Sequence, residues 1–410
     1  MTVELNPPGS VPRPLDGVRV VDLSNLLMAP YTTQIMGDMG ADIVKVEAPE
    51  GDPVRGIGPL RNPGMGAIFL HANRSKRSIV LDLKRPAGLQ AMKDLLRTAD
   101  VLVYNRRPQV MARLGLGYET VADLNSRIIY AGLYGYGQGG PYAAKPAFDD
   151  LIQAGIGVPH VAHQVYGREP DYVPLAFIDR GVALWAVGQI NAALFHQART
   201  GQGQRLDMPM FEMMASLMLG DHMAGETFVP SMGPPGYKRM LAPDRRPFRT
   251  ADGYVCVLIY TDRHWQAWFD ALGRSETTAT DPRFASMTAR NENIASIYRD
   301  LAAELLNRTT DEWLALFEAS DIPASRMNSL EDLMADPHLA SVGFFRQVEH
   351  PSEGMIRDMA VPSTWSRTQP SPTRLAPRLG EQGAEILAEA GYTPDRIAAL
   401  VADGATVIPE

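Results

Sequence analysis

Two hydrophobic periods alternate along the first half of the chain. Residues 18–23 (VRVVDL) form a β-branched run of strand character. After Ser24 and Asn25, apolar residues recur at helical spacing from Ala29 and Pro30 to Met39. Pro30 suits a first helical turn, where a missing N–H costs nothing, and Gly40 suits the stop. Residues 41–47 (ADIVKVE) read as a second strand. Strand, helix, strand is a βαβ unit and predicts parallel pairing with a right-handed crossover. The alternation continues with strands at 78–83, 100–105 and 128–133 and helices at 86–98 and 121–125. It predicts an α/β fold with a large, Rossmann-like, mainly parallel sheet. The apolar stretch 181–195, interrupted by Gln189 and Asn191, reads as a buried helix.

Beyond Gly201 the pattern changes. Residues 224–247 are rich in proline and glycine and read as a linker. Residues 248–330 combine strand segments with Trp- and Leu-rich helices, a smaller α+β domain. Residues 331–410, with Pro351, Pro362, Pro370 and Pro372 and two closing helices at 381–390 and 394–401, complete the chain. The expected division is an extended arm at 1–14, a large domain from 15–223 with 331–410, and a small domain at 248–330.

Charge narrows the partners. Lys and Arg number 39 against 47 Asp and Glu, a net charge of −8, so a general nucleic-acid surface is excluded while a local basic pocket is not. The single cysteine, Cys256, lies in a strand-like run (GYVCVLIY) and reads as a buried thiol; one cysteine makes neither an internal disulfide nor a cysteine-rich zinc site. The start of the chain has no basic and no apolar segment of a signal peptide, and no run reaches the ~18 apolar residues of a membrane span. A cytoplasmic location is expected.

Gly135 to Gly140 (GYGQGG) matches G-x-G-x-x-G as a string, but Pro141 follows and no helix opens at the third glycine. The first strand-to-helix turn, Leu26-Leu27-Met28-Ala29-Pro30, has no glycine either, so a dinucleotide dehydrogenase is disfavoured. The eight histidines show no zinc spacing; His160 and His163 stand three apart without a third ligand nearby. Two basic clusters, 73–78 (NRSKRS) and Asn105-Arg106-Arg107-Pro108 with Arg113 beyond, flank strands and read either as solvated loops or as phosphate contacts. Asp179 stands before a long helix expected at 182–198. It reads as an N-cap, or as a carboxylate held ionised by the positive helix end and able to act as a nucleophile.

These pieces, in this order, resemble the family III CoA-transferases, which include formyl-CoA transferase, carnitine CoA-transferase and α-methylacyl-CoA racemase. The matching strings are LDGVRVVDLS at 15–24, MGDMGADIVKVE at 36–47, NRSKRS at 73–78, ADVLVYNRRP at 99–108, FDDLIQA at 148–154 and TGQGQ at 200–204. ADGY at 251–254, DIPA at 321–324, DPH at 336–338 and LGE at 379–381 carry the match to the far end. The resemblance implies a large α/β domain built from both chain termini, a small middle domain, and an interlocked homodimer. It implies a CoA-transferase whose Asp179 forms covalent acyl and CoA intermediates, with coenzyme A and acyl-CoA as substrates and no metal or tightly bound cofactor. It further implies that Lys76, Arg77, Asn105, Arg106 and Arg113 bind the CoA phosphates and adenine. Leu26, Leu27 and Met28 would line the pantetheine or thioester region, and Phe148 the substrate pocket.

Two departures narrow that reading. Formyl-CoA transferases carry glutamine at the position of Leu27 and tyrosine at that of Phe148, which suggests a larger or more apolar acyl group here. Racemases carry a histidine base at the position of Phe148, and a phenylalanine moves no proton. An isomerase on the same scaffold and a non-catalytic acyl-CoA-binding protein are the competing readings.

Overall fold

The computed structural model describes residues 12–409; residues 1–11 of the expected arm lie outside them. The chain forms two compact units. One takes the chain up to Ile156, Val173–Ala215 and His338 onward; the other takes Gly157–Tyr172 and Ser216–Pro337.

The first unit follows from the β-branched runs. Strands β1 (Arg19–Leu23) and β2 (Asp42–Glu47) flank helix α1 (Met28–Asp38). Helix α2 (Ala67–Ala72) leads to β3 (Lys76–Val80), and α3 (Pro86–Leu96) to β4 (Val101–Tyr104). Helices α4 (Pro108–Arg113) and α5 (Tyr118–Leu124) precede β5 (Ile129–Tyr134). Then come α6 (Asp149–Gly155), α7 (Val158–Tyr166, in the second unit), the 24-residue α8 (Phe177–Thr200) and β6 (Gln204–Pro209). The six strands form one parallel sheet ordered β3-β2-β1-β4-β5-β6. The chain runs outward one way from β1 and the other way from β4, so the strand order switches between β1 and β4. Ligands of open α/β sheets bind beyond the carboxyl ends of strands at such a point. Apolar clusters cover both faces: α3, α5 and the C-terminal helices pack on one, α1 and α8 on the other.

The far end of the chain closes this unit. Thr406 donates its hydroxyl to the Val80 carbonyl at 2.6 Å, and the Asp82 N–H donates to Ala405 at 2.9 Å. Helix Gly383–Glu389 sets Glu385 and Glu389 against Arg77 at 2.8 and 2.7 Å.

Beneath the carboxyl ends of β1–β3 lies a buried ionic cluster. Lys76 meets Asp22 at 3.0 Å, Lys45 meets Asp52 at 2.9 Å, and Arg55 meets Glu47 at 2.7 Å. Burial alone would raise the Asp22 carboxyl, but Lys76, Lys45 and hydrogen bonds from Ser24 and Thr33 hold it below its ordinary value. This cluster explains why β3 begins at Lys76 rather than at residue 78: charged side chains enter the interior because partners from β1 and β2 meet them there.

The second unit has its own core. A three-stranded antiparallel sheet, β7 (Phe248–Arg249), β8 (Tyr254–Val257) and β9 (Ala324–Arg326), packs with Trp265, Trp268, Trp313 and Phe317 in one cluster. Cys256 sits in β8 as a half-buried free thiol, more accessible than its apolar run suggests.

Candidate active site

The loop after β1 is pinned from two sides. Asn105, just past β4, accepts the Asn25 N–H at 3.1 Å and donates to the Asn25 carbonyl at 2.7 Å. Asp52 accepts the Leu26 N–H at 2.9 Å. Leu26 is held at φ 67°, a left-handed conformation costing a non-glycine residue on the order of 1 kcal/mol. That strain delivers Leu27 to the start of α1 and buries Met28 as its first residue. The expected pantetheine segment therefore lies at the sheet's switch point, and Asn105 acts there through the loop's backbone.

Beside it, past the carboxyl ends of β1, β2 and β3, is a crevice of about 110 Å³ lined in part by Leu23, Ala48, Leu81, Lys84 and Arg106. Burial lowers the Arg106 guanidinium below its ordinary value, and its Nε has no hydrogen-bond partner. The side chain of Lys84 is solvent-exposed. Three carboxylates also border the crevice; Glu47 is neutralised by Arg55, Asp82 lies 3.5 Å from Arg85, and Glu50 is exposed. Arg113 ends α4 on the surface and is not among the lining residues.

Lys76 and Arg77, expected at the phosphates, are placed elsewhere. Lys76 Nζ is fully buried and gives its three donors to Asp22, the Pro30 carbonyl at 2.7 Å and Asn73 at 2.8 Å. Arg77 is spent on Asp42, Glu385 and Glu389. Both open β3, whereas the crevice lies past its end. A βα loop is the right place for phosphate contacts, and Lys84, in the loop that follows β3, is the lysine found there. The bare string 73–78 gave no sign that its cations meet carboxylates far along the chain.

Asp179 is also placed differently from expectation. Helix α8 starts at Phe177, five residues before the expected 182, so Asp179 sits inside its first turn and is not the N-cap. The helix is capped through Asp149, whose Oδ2 accepts the Asp179 N–H at 2.9 Å. Asp149 Oδ1 accepts from Gln153 Nε2 at 2.7 Å, and Gln153 accepts the Val173 N–H at 2.9 Å. Asp149, missed in the sequence reading, is thus locked in place; its only sequence signal is the acidic pair after Phe148. Burial and then the nearby Asp149 charge push Asp179 up to about 6, against the opposing pull of Arg180. The helix end therefore does not keep this carboxyl at a low value; desolvation and like charge win.

Phe148 precedes α6 with 61% of its surface exposed. Helices α1 and α8 bring the remaining parts together. Thr32 donates to the Ala183 carbonyl at 3.4 Å, Met28 shares a core with Ile178 and Val182, and the Arg180 guanidinium lies 4.7 Å from the Tyr31 ring centroid. His71 of α2 is held below its ordinary value by burial first, with Arg74 and then Arg180 adding to the effect against the opposing pull of Asp358. A carboxyl raised to about 6 thus shares its surroundings with the Arg180 guanidinium.

Elsewhere, a larger cavity of about 600 Å³ is lined by residues of the second unit, including Arg239, Arg245 and Cys256, and contains none of the expected site residues. Among the described residues, no group of three or more His, Cys, Asp and Glu side chains could hold a metal ion. No helix among them is long and apolar enough to cross a membrane.

Comparison with known proteins identifies the family. The family model described as CoA-transferase family III matches residues 15–383. A succinate–glutarate CoA-transferase of Agrobacterium fabrum is 33% identical over 386 residues, covering 92% of this chain and 95% of that protein. The human succinyl-CoA:glutarate CoA-transferase is 30% identical, covering 94% and 87%. A crystal structure of a CAIB/BAIF family protein from Brucella suis superimposes with a TM-score of 0.74 at 30% identity, covering 93% of this chain and all of that one.

Proposed function

The chain belongs to CoA-transferase family III and is a CoA-transferase; from that premise we propose that it moves CoA from an acyl-CoA thioester to a free carboxylic acid through covalent intermediates on Asp179. The observation that carries this reading is the Asp179 carboxyl itself: half-buried, and raised to about 6. At neutral pH it is ionised, yet more basic than an ordinary aspartate, which strengthens it as a nucleophile.

The steps balance without any other group. The Asp179 carboxylate attacks the thioester carbonyl, the C–S bond breaks, and CoA thiolate departs to leave an acyl-aspartyl anhydride. The thiolate attacks the aspartyl carbonyl, expelling the first acid and forming an aspartyl-CoA thioester. The incoming carboxylate attacks that thioester, whose C–S bond breaks to release CoA thiolate, and a new anhydride forms. The returning thiolate takes its acyl group and frees Asp179.

The crevice with Arg106 and Lys84 would take the charged nucleotide end of CoA, and Leu26, Leu27 and Met28 the pantetheine arm. Phe148 would cover the acyl pocket. The named relatives are transferases between succinate or succinyl-CoA and glutarate. A short dicarboxylic acid is accordingly the proposed substrate class, rather than the larger apolar acyl group that Leu27 and Phe148 alone suggest.

The working form is proposed to be a homodimer in the cytoplasm. Helix α8 leaves Leu184, Trp185 and Phe195 exposed by 58%, 43% and 65%. A helix apolar on both faces is normally buried, and a second copy would bury it. Light scattering should give twice the chain mass.

The decisive experiment is intact-protein mass spectrometry after brief mixing with succinyl-CoA, followed by hydroxylamine trapping and peptide mapping. An acyl or CoA adduct on Asp179 supports the mechanism. Transfer that persists in both Asp179→Ala and Asp179→Asn would overturn it.

A further inference from the structure

We infer that Arg180 is the specificity-determining residue of this site, pairing with the distal carboxylate of a dicarboxylic acyl group while the proximal carbonyl reacts at Asp179. The inference rests on the transferase reading above and adds the residue that selects the substrate.

Four observations support it. Arg180 follows Asp179 directly on the first turn of α8, close enough for its charge to act on the Asp179 carboxyl. Its guanidinium is half-buried over the Tyr31 ring and forms no salt bridge with any carboxylate among the described residues. A guanidinium held over a ring and paired with no carboxylate keeps its N–H fork available for two parallel bonds to a carboxylate. The more deeply buried Arg74 and Arg77 are spent, by contrast: Arg74 on Asp38 and Asp358, and Arg77 on Asp42 and Glu389.

The surroundings admit one anion and favour a short one. Tyr31 lies one helical turn after Leu27, so the two share a face of α1. In a four- or five-carbon dicarboxylate, three or four C–C bonds of about 1.5 Å separate the two carboxyl carbons, a span of roughly 4–5 Å. Asp179 and Arg180 are consecutive residues whose Cα atoms lie about 3.8 Å apart, a separation that a diacid of this span bridges. A monocarboxylic acyl group of equal length would set methyl hydrogens against the guanidinium and leave a desolvated cation unpaired, which a site built for a polar partner rejects strongly.

The test uses two acceptors of equal length, glutarate and pentanoate, with succinyl-CoA as common donor. In a double-displacement reaction, kcat/KM for the acceptor reports only the second half-reaction. The wild-type chain should favour glutarate. Arg180→Gln should reduce the glutarate-to-pentanoate ratio of kcat/KM by roughly 10- to 100-fold, mainly through KM, and Arg180→Lys should restore part of it. Equal losses for both acids would make Arg180 a general modulator of Asp179 and overturn the inference. So would a wild-type chain that takes pentanoate as readily as glutarate, even with transfer proceeding through Asp179. If instead no adduct forms on Asp179, the transferase mechanism fails first, and the inference with it. Unchanged thermal unfolding of Arg180→Lys separates a loss of selection from a loss of fold.

Discussion

The Asp149 carboxylate accepts the backbone N–H of Asp179 at 2.9 Å and is also the charge that most raises the Asp179 carboxyl. One side chain thereby caps the first turn of α8 and sets the basicity of the residue that turn presents. Cap and electrostatic neighbour are usually separate roles; here one carboxylate performs both.

The rate should therefore carry an acid limb governed by Asp179. The reaction needs the ionised form, so kcat/KM should rise with pH through an apparent pKa of about 6 and level off above it. Asp149→Asn keeps an oxygen to accept the N–H but removes the charge. The limb should move to lower pH, by roughly half a unit to one unit. A profile measured from pH 5 to 8 that stays fixed in this variant would show that Asp149 does not tune the nucleophile.

Stability should carry the opposite sign. The folded Asp179 carboxyl at about 6 lies above its ordinary 3.8. The native state binds more protons between those values, so stability is lost as pH rises through that window. The full shift corresponds to about 3 kcal/mol, which partial exposure reduces to about 1 kcal/mol. Asp179→Asn should consequently unfold roughly 1–3 °C higher than the parent at pH 7.5 and lose that advantage near pH 4. Calorimetry at the two pH values decides; a variant less stable at pH 7.5 would mean the carboxylate is held by interactions that offset its burial.

Much of the sheet was legible because β-branched runs such as Val20-Val21 and Ile43-Val44 announce buried parallel strands without tertiary help. Charged residues were not legible in the same way. Lys76 lies 54 residues from Asp22, and Arg77 more than 300 from Glu385 and Glu389. Nothing local distinguishes such cations from free ones, so their string read equally well as phosphate ligands. The carboxylate at 179 could be singled out, but its charge state depends on Asp149, thirty residues upstream. Arg106 could be placed after a strand, while its unpartnered Nε appears only once the crevice forms.

Arg106 and Arg77 should separate when each is replaced by alanine. Arg106 faces the crevice with an unpartnered donor, so its loss should raise KM for acyl-CoA roughly 10-fold or more and leave thermal unfolding nearly unchanged. Arg77 balances Asp42, Glu385 and Glu389, tying the C-terminal helix to β3. Losing it should destabilise the first unit by about 3 kcal/mol, with KM for acyl-CoA altered far less. Isothermal titration with CoA beside thermal melts tests both. The reverse pattern would return Arg77 to the phosphates and make Arg106 structural.

Asn105 should behave as a positioning residue. It grips Asn25 through both N–H and carbonyl, and that grip helps hold Leu26 at its left-handed φ. Asn105→Ala removes two hydrogen bonds at a half-buried site, worth about 1–2 kcal/mol of stability. The loop can then relax toward an ordinary backbone conformation and carry Leu27 and Met28 away from α8. The expected result is a kcat lower by about 10-fold with KM for acyl-CoA changed by less than about 3-fold, since a misplaced reacting group affects the transition state more than ground-state binding. Leu26→Gly in the same background adopts the left-handed conformation without strain and should recover part of the lost rate. A loss confined to KM would instead place the Asn105 amide in direct contact with CoA.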